Sequence, residues 1–156
     1  MKKIISLHII LFALLLIPFA ATSTRMNRAG EKIYIRNSRL VVLDVLTVYH
    51  PVKKQCDDTP LITASNSKID RDALRKQNIR WMALSRDLLK RWNGAFHYGD
   101  TVLVTAGDPQ IDGLWIIKDT MNKRFKNRGD LLFDREVRKL GRWENVEVSA
   151  VQWLTL

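Results

Sequence analysis

Two aspartates flank one basic loop in the last third of the chain. Asp119 follows an apolar, strand-like run that starts at Trp115, and Asp130 begins another that reaches Phe133. Carboxylates at strand edges on either side of one loop can converge on a cleft, where proximity and partial desolvation raise the pKa of one of them. A carboxyl group that stays protonated near neutral pH can act as a general acid on a glycosidic oxygen. Aspartate at a strand end is also a common turn former or helix cap, and the spacing alone fits both interpretations.

The histidines and the cysteine form no pattern that predicts a metal site. His50, His97 and Cys56 could act together with Asp57 or Asp58, but no pair has the spacing of zinc ligands. We therefore expect no metal and no organic cofactor. Cys56 is the single cysteine, which excludes a disulfide-rich scaffold. In an oxidising compartment such a thiol is either buried and inert or paired between chains.

Basic and aromatic residues offer two further interpretations. The basic segment around the two aspartates is either a solvated loop or a surface that contacts peptide-stem carboxylates or other anionic polymers. Of the five tryptophans, we expect most in the core, while one or two could stack on sugar rings. The residues concerned are Lys118, Lys123, Arg124, Lys126 and Arg128, and Trp81, Trp92, Trp115, Trp143 and Trp153.

Length and composition describe an ordinary globular protein. The chain has 156 residues, of which 46% are hydrophobic and 27% charged, with 7 Gly and 4 Pro. These values exclude collagen-like, low-complexity and largely disordered proteins. The length predicts one domain with at most a small appendage. The formal net charge of +10 predicts attraction to anionic cell-surface polymers, to lipids or to nucleic acid.

The amino-terminal segment has the pattern of a secretory signal peptide. Met1 and two lysines precede an apolar stretch from Ile4 to Ala21, and small residues close it. Residues 1–22 are then a signal peptide or, alternatively, a retained anchor; residues 23–30 are a linker, and residues 31–156 are the domain. We expect an exported, periplasmic or envelope-associated monomer that meets a membrane only through this segment. Without Lys2 and Lys3 an excess of +8 remains, and export favours surface polymers over nucleic acid.

Short runs of β-branched and aromatic residues recur along the domain, and residues 134–140 have the pattern of a short amphipathic helix. Residues 70–94 are ambiguous. The spacing of their apolar residues fits one long helix through Trp81. Residues 79–85 also fit a buried strand with a short helix behind it. Such a set of strands predicts a small, mostly β barrel. The strand-like runs are residues 32–36, 40–49, 61–65, 101–105, 114–118, 130–133 and 145–151.

A series of short motifs gives the domain a family resemblance. The motifs are Thr47-Val48-Tyr49, Thr63-Ala64-Ser65, Ala83-Leu84-Ser85, Gly99-Asp100-Thr101, Asp119-Thr120 and Asp130-Leu131-Leu132. In their order and spacing, the chain resembles the double-psi β-barrel group of rare lipoprotein A-like proteins over residues 46–151. Within that group it resembles the three-aspartate domain proteins and the proteins of the membrane-bound lytic transglycosylase A type. The resemblance implies a mostly β, six-stranded double-psi β-barrel with one or two short helices, and it favours a strand at residues 79–85.

The resemblance also implies an activity, which is cleavage of the glycan strands of peptidoglycan. Asp130 would protonate the glycosidic oxygen and later act as the base, while the muramoyl 6-hydroxyl closes on the anomeric carbon to give a 1,6-anhydro sugar. Asp119 would orient Asp130 or stabilise the oxocarbenium charge. No water, metal or cofactor is needed. The residues expected to bind the sugar are Tyr49, Thr63, Ser85 and Thr120.

Two departures from the family pattern leave an alternative open. Met121 stands where the family has glycine after Asp-Thr, and a side chain there occupies a tight turn close to the ligand. Ser85 stands at the first of the three family aspartates, so the trio is incomplete unless Asp87 or Asp58 substitutes. The alternative is a non-catalytic module that binds peptidoglycan or another surface polymer. A nucleic-acid binder is disfavoured by export and by the lack of a reader motif.

Overall fold

Six strands close into a barrel, and most of them coincide with the β-branched and aromatic runs of the sequence. The structure is a computed structural model that describes residues 22–26, 32–36, 39–56, 58–137 and 141–151. The strands are β1 (Thr22–Met26), β2 (Lys32–Arg36), β3 (Leu40–Tyr49), β4 (Trp81–Leu84), β5 (Thr101–Thr105), β6 (Gly113–Thr120), β7 (Arg128–Leu132) and β8 (Arg142–Ala150). Among the described residues, the one α-helix is α1 (Arg71–Arg75).

Pairing around the barrel is mixed. The order is β3-β7-β4-β6-β5-β8, and β8 closes the ring by pairing with β3. β3 pairs with β7 and β4 pairs with β6 in parallel, whereas all the other neighbours are antiparallel. A tight hairpin cannot join parallel neighbours, so the chain crosses over before each parallel pairing. The prediction of a mostly β, closed six-stranded barrel with short helical segments is confirmed.

The first two strands precede the barrel as a separate sheet. β1 and β2 pair with each other in antiparallel fashion. Most of β1 falls within the segment that we expected to be a linker, residues 23–30, and it is a strand there. The expected signal segment lies outside the described residues except for Thr22. None of the helices in the described part of the chain has both the length and the apolar character needed to cross a membrane.

The ambiguous region around Trp81 contains a strand. The helix α1 is capped by the Asp70 side chain, which accepts hydrogen bonds from two backbone N–H groups, and it ends at Arg75. β4 follows and is buried in the barrel wall, as the resemblance favoured. Two 3-10 turns, Arg86–Leu88 and Lys90–Trp92, take the place of the short helix expected behind it.

Two other expected elements are shorter than the sequence pattern indicated. The strand expected at residues 61–65 is reduced to one bridge between Ile62 and Lys68, because the segment between them turns back on itself through a hydrogen bond from Thr63 N to Ser67 O. The helix expected at residues 134–140 is a single 3-10 turn at Arg135–Val137, and residues 138–140 lie outside the described part.

Two apolar clusters lie on opposite sides of the barrel wall. The interior cluster includes Leu43, Leu46, Met82 and Ile117, all fully buried. The outer cluster packs α1 and the loop after β3 against the wall, and a stretch of wall beside it carries both aspartates. Its buried members are Tyr49, Ile69, Leu74, Ala83, Met121 and Leu132.

The interior requires glycine at one position of β7. A Cβ added to Gly129 would lie 2.9 Å from the Cδ1 atoms of both Leu43 and Leu46. Both leucines are fully buried, and protein interiors are packed too densely to accept such a group without displacement. The absence of a side chain at Gly129 therefore leaves room in the interior for two leucine side chains of the neighbouring strand β3.

We expect Gly129→Val to lower the free energy of unfolding by about 1–3 kcal/mol, because its side chain overpacks the interior. Gly129→Ala should be intermediate, and urea unfolding measures both. Gly99→Ala is the control: its Cβ meets no atom within 4 Å, so only its φ of +91° carries a cost of about 1–2 kcal/mol. A Gly129→Val protein as stable as the wild type would contradict the described packing.

Candidate active site

Three neighbouring strands place the two aspartates on the outer face of the barrel wall. Ala83 of β4 is the register partner of Asp119 on one side and of Asp130 on the other. Neighbouring strands are spaced by about 4.8 Å, so the backbones of the two aspartates, which are two strands apart, are separated by about 10 Å. Their side chains lie on the same face of the wall. The methyl group of Ala83 is the one side chain between them in this register, and its small size leaves the space above it open.

An irregularity in β6 turns Asp119 to this face. Met82 pairs with Ile117, but the next residue, Ala83, pairs with Asp119, so Lys118 is an extra residue in β6. Ile117 points into the interior, and the two-residue period of a strand would send Asp119 to the interior as well. The extra residue reverses that alternation, which is the usual effect of a β-bulge. The Lys118 carbonyl oxygen accepts a hydrogen bond from Ser65 N.

Asp119 is held by three hydrogen-bond donors. Its Oδ1 accepts from the backbone N–H groups of Ala64, at 2.9 Å, and Thr120, at 2.8 Å. Its Oδ2 accepts from the Tyr49 hydroxyl at 3.0 Å. Three donors match the needs of an ionised carboxylate, which can only accept. Asp119 is therefore fixed in orientation, and it ties the loop around Ala64 to the wall.

Asp130 lies in a different environment. Burial raises the pKa of Asp130 to about 6; the hydrogen bond from Thr47 opposes this effect, the neighbouring Asp119 adds to it, and His50 opposes it. The Thr47 hydroxyl donates to Asp130 Oδ1 at 2.6 Å. Its Oδ2 accepts no hydrogen bond from the described residues, and Asp130 lines the groove outside the wall. This carboxyl group can hold a proton near neutral pH and present it to a ligand.

One strand supplies a hydroxyl to each aspartate. Thr47 and Tyr49 are two residues apart on β3, so their side chains share the outer face. Burial, followed by the influence of Asp119, raises the pKa of Tyr49 well above its ordinary value, which keeps the phenol protonated as a donor. Tyr49 was among the predicted site residues, but Thr47 was not. The two-residue period and the Thr-x-Tyr motif were the signals that could have identified Thr47.

A long open groove runs past the aspartates. It has a volume of about 890 Å³, and Asp119, Ala83 and Asp130 line its floor together with Tyr49. A shallower hollow of about 410 Å³ continues it past Arg91 and Tyr98, and another of about 370 Å³ continues it past Arg124. The groove therefore suits an extended ligand better than a compact one.

Like Tyr49, the expected sugar-binding residues Thr63 and Thr120 line this groove, and they also support it. Thr120 Oγ1 and the Tyr98 hydroxyl form a hydrogen bond with each other. The Thr63 side chain is buried, and its hydroxyl lies 3.0 Å from Ser65 Oγ and accepts from Ser67 N at 3.2 Å. Both hydroxyls thus help to fix the loop and the rim of the groove.

The structure does not bring Ser85 to the groove. Ser85 is fully buried, and its Oγ accepts a hydrogen bond from Arg128 N at 3.0 Å. Neither possible substitute for a third aspartate lines the groove: Asp87 Oδ2 accepts from Asn127 N, and Asp58 is exposed elsewhere. Met121 does line it, and it packs in the outer cluster where the family pattern has glycine.

The residues considered as metal ligands lie apart or have other partners. His50 is buried, with its Nδ1 3.0 Å from the Phe133 carbonyl oxygen. The Cys56 thiol lies 3.5 Å from the His50 carbonyl oxygen, at the side of the groove. Within the described ranges, no three His, Cys, Asp or Glu side chains come together as a metal site would require.

The arrangement combines a proton donor and a fixed carboxylate on one wall. Asp130 is a buried acid with one oxygen free, and Asp119 is a carboxylate oriented by three donors. Two carboxyl groups whose environments differ in this way can divide the roles of acid and charge stabiliser. Comparison with known proteins adds no assignment: no protein-family model and no curated protein matches the chain.

We expect Asp130→Asn to stabilise the protein above pH 6. The folded-state pKa of about 6 exceeds the ordinary value of 3.8, so the folded state binds more protons than the unfolded state between these values. The free energy of unfolding of the wild type therefore falls by about 3 kcal/mol in total as the pH rises from about 4 to 6. The Asp130→Asn variant has no carboxyl group at this position, so its free energy of unfolding does not fall in this way.

Urea unfolding of both proteins at pH 4 and pH 7.5 measures the difference. Asp58→Asn, at an exposed position outside the groove, is the matched control and should follow the wild type. If the free energy of unfolding changed equally with pH in the Asp130→Asn variant and in the wild type, the burial of Asp130 would be contradicted.

Proposed function

We propose that this protein is an exported, cell-envelope lytic transglycosylase that cleaves the glycan strands of peptidoglycan on a double-psi β-barrel. The observation that carries the proposal is the pairing of Asp130, whose pKa is raised to about 6, with the firmly held Asp119 on the floor of one open groove. The two parallel strand pairs support the barrel type, because an up-and-down barrel has only antiparallel neighbours.

Each residue has a chemical role in this proposal. Asp130, protonated on the oxygen that faces the groove, gives its proton to the glycosidic oxygen as the bond to the anomeric carbon breaks. Asp119 stabilises the positive charge that develops on the sugar. The resulting Asp130 carboxylate then takes the proton of the sugar's own 6-hydroxyl as that oxygen bonds to the anomeric carbon. The products are a 1,6-anhydro sugar and a shortened strand, and Asp130 regains its proton.

The raised pKa of Asp130 fits both halves of this reaction. A group with a pKa near the working pH gives up a proton in the first half and takes one back in the second. The proposal uses one carboxyl group as acid and base with an internal hydroxyl as nucleophile. It therefore does not require the fixed carboxylate separations of the hydrolytic glycosidases.

A binding-only module is the second candidate, and Met121 favours it. The Met121 side chain lines the groove and packs in the outer cluster at a position where the family pattern has glycine. In that case the same groove would hold a glycan strand without cleaving it.

We expect the protein to release anhydro-muropeptides from purified sacculi. The Asp130→Asn variant should release them at least about 100-fold more slowly. Loss of a general acid costs about 10²–10⁴-fold, and the asparagine side chain keeps the size and the hydrogen bond from Thr47. Mass spectrometry of the soluble products measures the rate. Asp58→Asn is the matched control and should keep full activity. A folded wild-type protein that binds sacculi and releases nothing would favour the binding-only module.

We expect the rate to fall about tenfold per pH unit above about pH 6, as Asp130 loses its proton. Thr47→Val removes the hydrogen bond that lowers the pKa of Asp130, so the falling limb should move to higher pH. A pH–rate profile of both proteins measures the shift. A Thr47→Val variant that changed the rate equally at every pH would instead indicate a purely structural role for Thr47.

A further inference from the structure

Two groups of arginines line the groove that contains the aspartate pair. The first, the Trp92 cluster, consists of Trp92 with Arg86 and Arg91, whose guanidinium carbons lie 5.2 and 5.3 Å from the ring centroid. All three residues line the central groove, and Arg91 also lines the hollow of about 410 Å³ that continues it. Lys90 lies in the same hollow and adds to its positive charge.

The second group, the Phe125 cluster, has the same construction. Arg124 and Arg128 lie over Phe125, at 4.8 and 5.5 Å from its ring centroid. Arg124 and Phe125 line the central groove, and all three residues line the other hollow, of about 370 Å³, together with Lys126. The carboxylate in that hollow, Asp44, accepts a hydrogen bond from the Asn127 amide.

The arginines of both clusters keep their charge available. None of them belongs to an ion pair with the described carboxylates. Stacking on an aromatic ring positions a guanidinium group without neutralising it, and its N–H groups stay free to bind an anion. Arg86 Nε is buried and has no hydrogen-bond partner among the described residues, which leaves a desolvated donor beside the groove.

We propose that the two clusters bind carboxylate groups that the glycan strand carries. This inference rests on the proposed function, and it identifies the substrate as a strand bearing peptide stems with free carboxylates. A neutral strand would leave two basic clusters without a partner. Planar guanidinium groups match carboxylates in geometry and charge, and the hollows that hold them continue the groove that contains Asp130. A single extended ligand can therefore contact the Trp92 cluster, Asp130 and the Phe125 cluster.

Binding by the full chain carrying Asp130→Asn tests this inference without requiring cleavage. The probes are glycan strands with their peptide stems, the same strands after an amidase has removed the stems, and polyglutamate as a free polyanion. We expect the stem-bearing strands to bind at least about tenfold more tightly than the stripped strands at about 0.1 M salt. Arg91→Gln combined with Arg124→Gln should remove this preference.

The matched control is Arg71→Gln combined with Arg135→Gln, which removes the same charge at exposed positions outside the groove and its two hollows. It should keep the preference to within about twofold. Equal binding of stem-bearing and stripped strands would overturn the inference, as would an equal loss in the control. Polyglutamate that binds as tightly as the stem-bearing strands would also overturn it, because the clusters would then be a general anion surface.

The two proposals fail separately. If the wild type cleaves stripped and stem-bearing strands at equal rates and binds them equally, the carboxylate-binding clusters are wrong and the cleavage proposal stands. If the stem preference depends on Arg91 and Arg124 but no anhydro product is ever released, the clusters stand and the cleavage proposal is wrong.

Discussion

The site depends on one extra residue in a strand. Lys118 breaks the register between β4 and β6, and that break brings Asp119 out of the barrel interior to the face where Ala83 and Asp130 stand. Without it, a carboxylate would face fully buried apolar side chains such as Ile117, at a large desolvation cost. The Lys118 carbonyl oxygen binds Ser65 N, and the loop held in this way supplies a donor to Asp119. The bulge thus places the carboxylate and also helps to fix it.

The two carboxyl groups differ in their burial and in their hydrogen-bond donors. Asp119 accepts from two backbone N–H groups and a phenol, whereas Asp130 accepts from the single hydroxyl of Thr47 and is otherwise desolvated. The donors Thr47 and Tyr49 are fixed by the barrel itself, since they alternate with interior residues on one long strand. The two chemically identical side chains therefore stand in different local environments.

Much of the fold followed from the sequence, because β-branched and aromatic runs mark strands whatever their partners are. Trp81 lay in the ambiguous region, since a short buried strand and a helix segment share the same apolar pattern, and only pairing on both sides fixes it as β4. The two aspartates were predictable as a pair from their position around one loop. The bulge at Lys118 was not, because a register shift depends on two strands and leaves no mark in one. The burial of Ser85 likewise depends on its hydrogen bond with β7.

The groove contains both Asp130, which must stay protonated to act as an acid, and a set of positively charged arginines. These two features conflict in principle. Nearby positive charge lowers the pKa of a carboxyl group and would remove its proton. Here burial raises the pKa of Asp130 to about 6 and outweighs the opposing hydrogen bond from Thr47. The arginines are held over aromatic rings in the Trp92 and Phe125 clusters, where their charge attracts an anionic strand. Burial of Asp130 thus allows attraction of the ligand and a raised pKa at the reacting group to exist together.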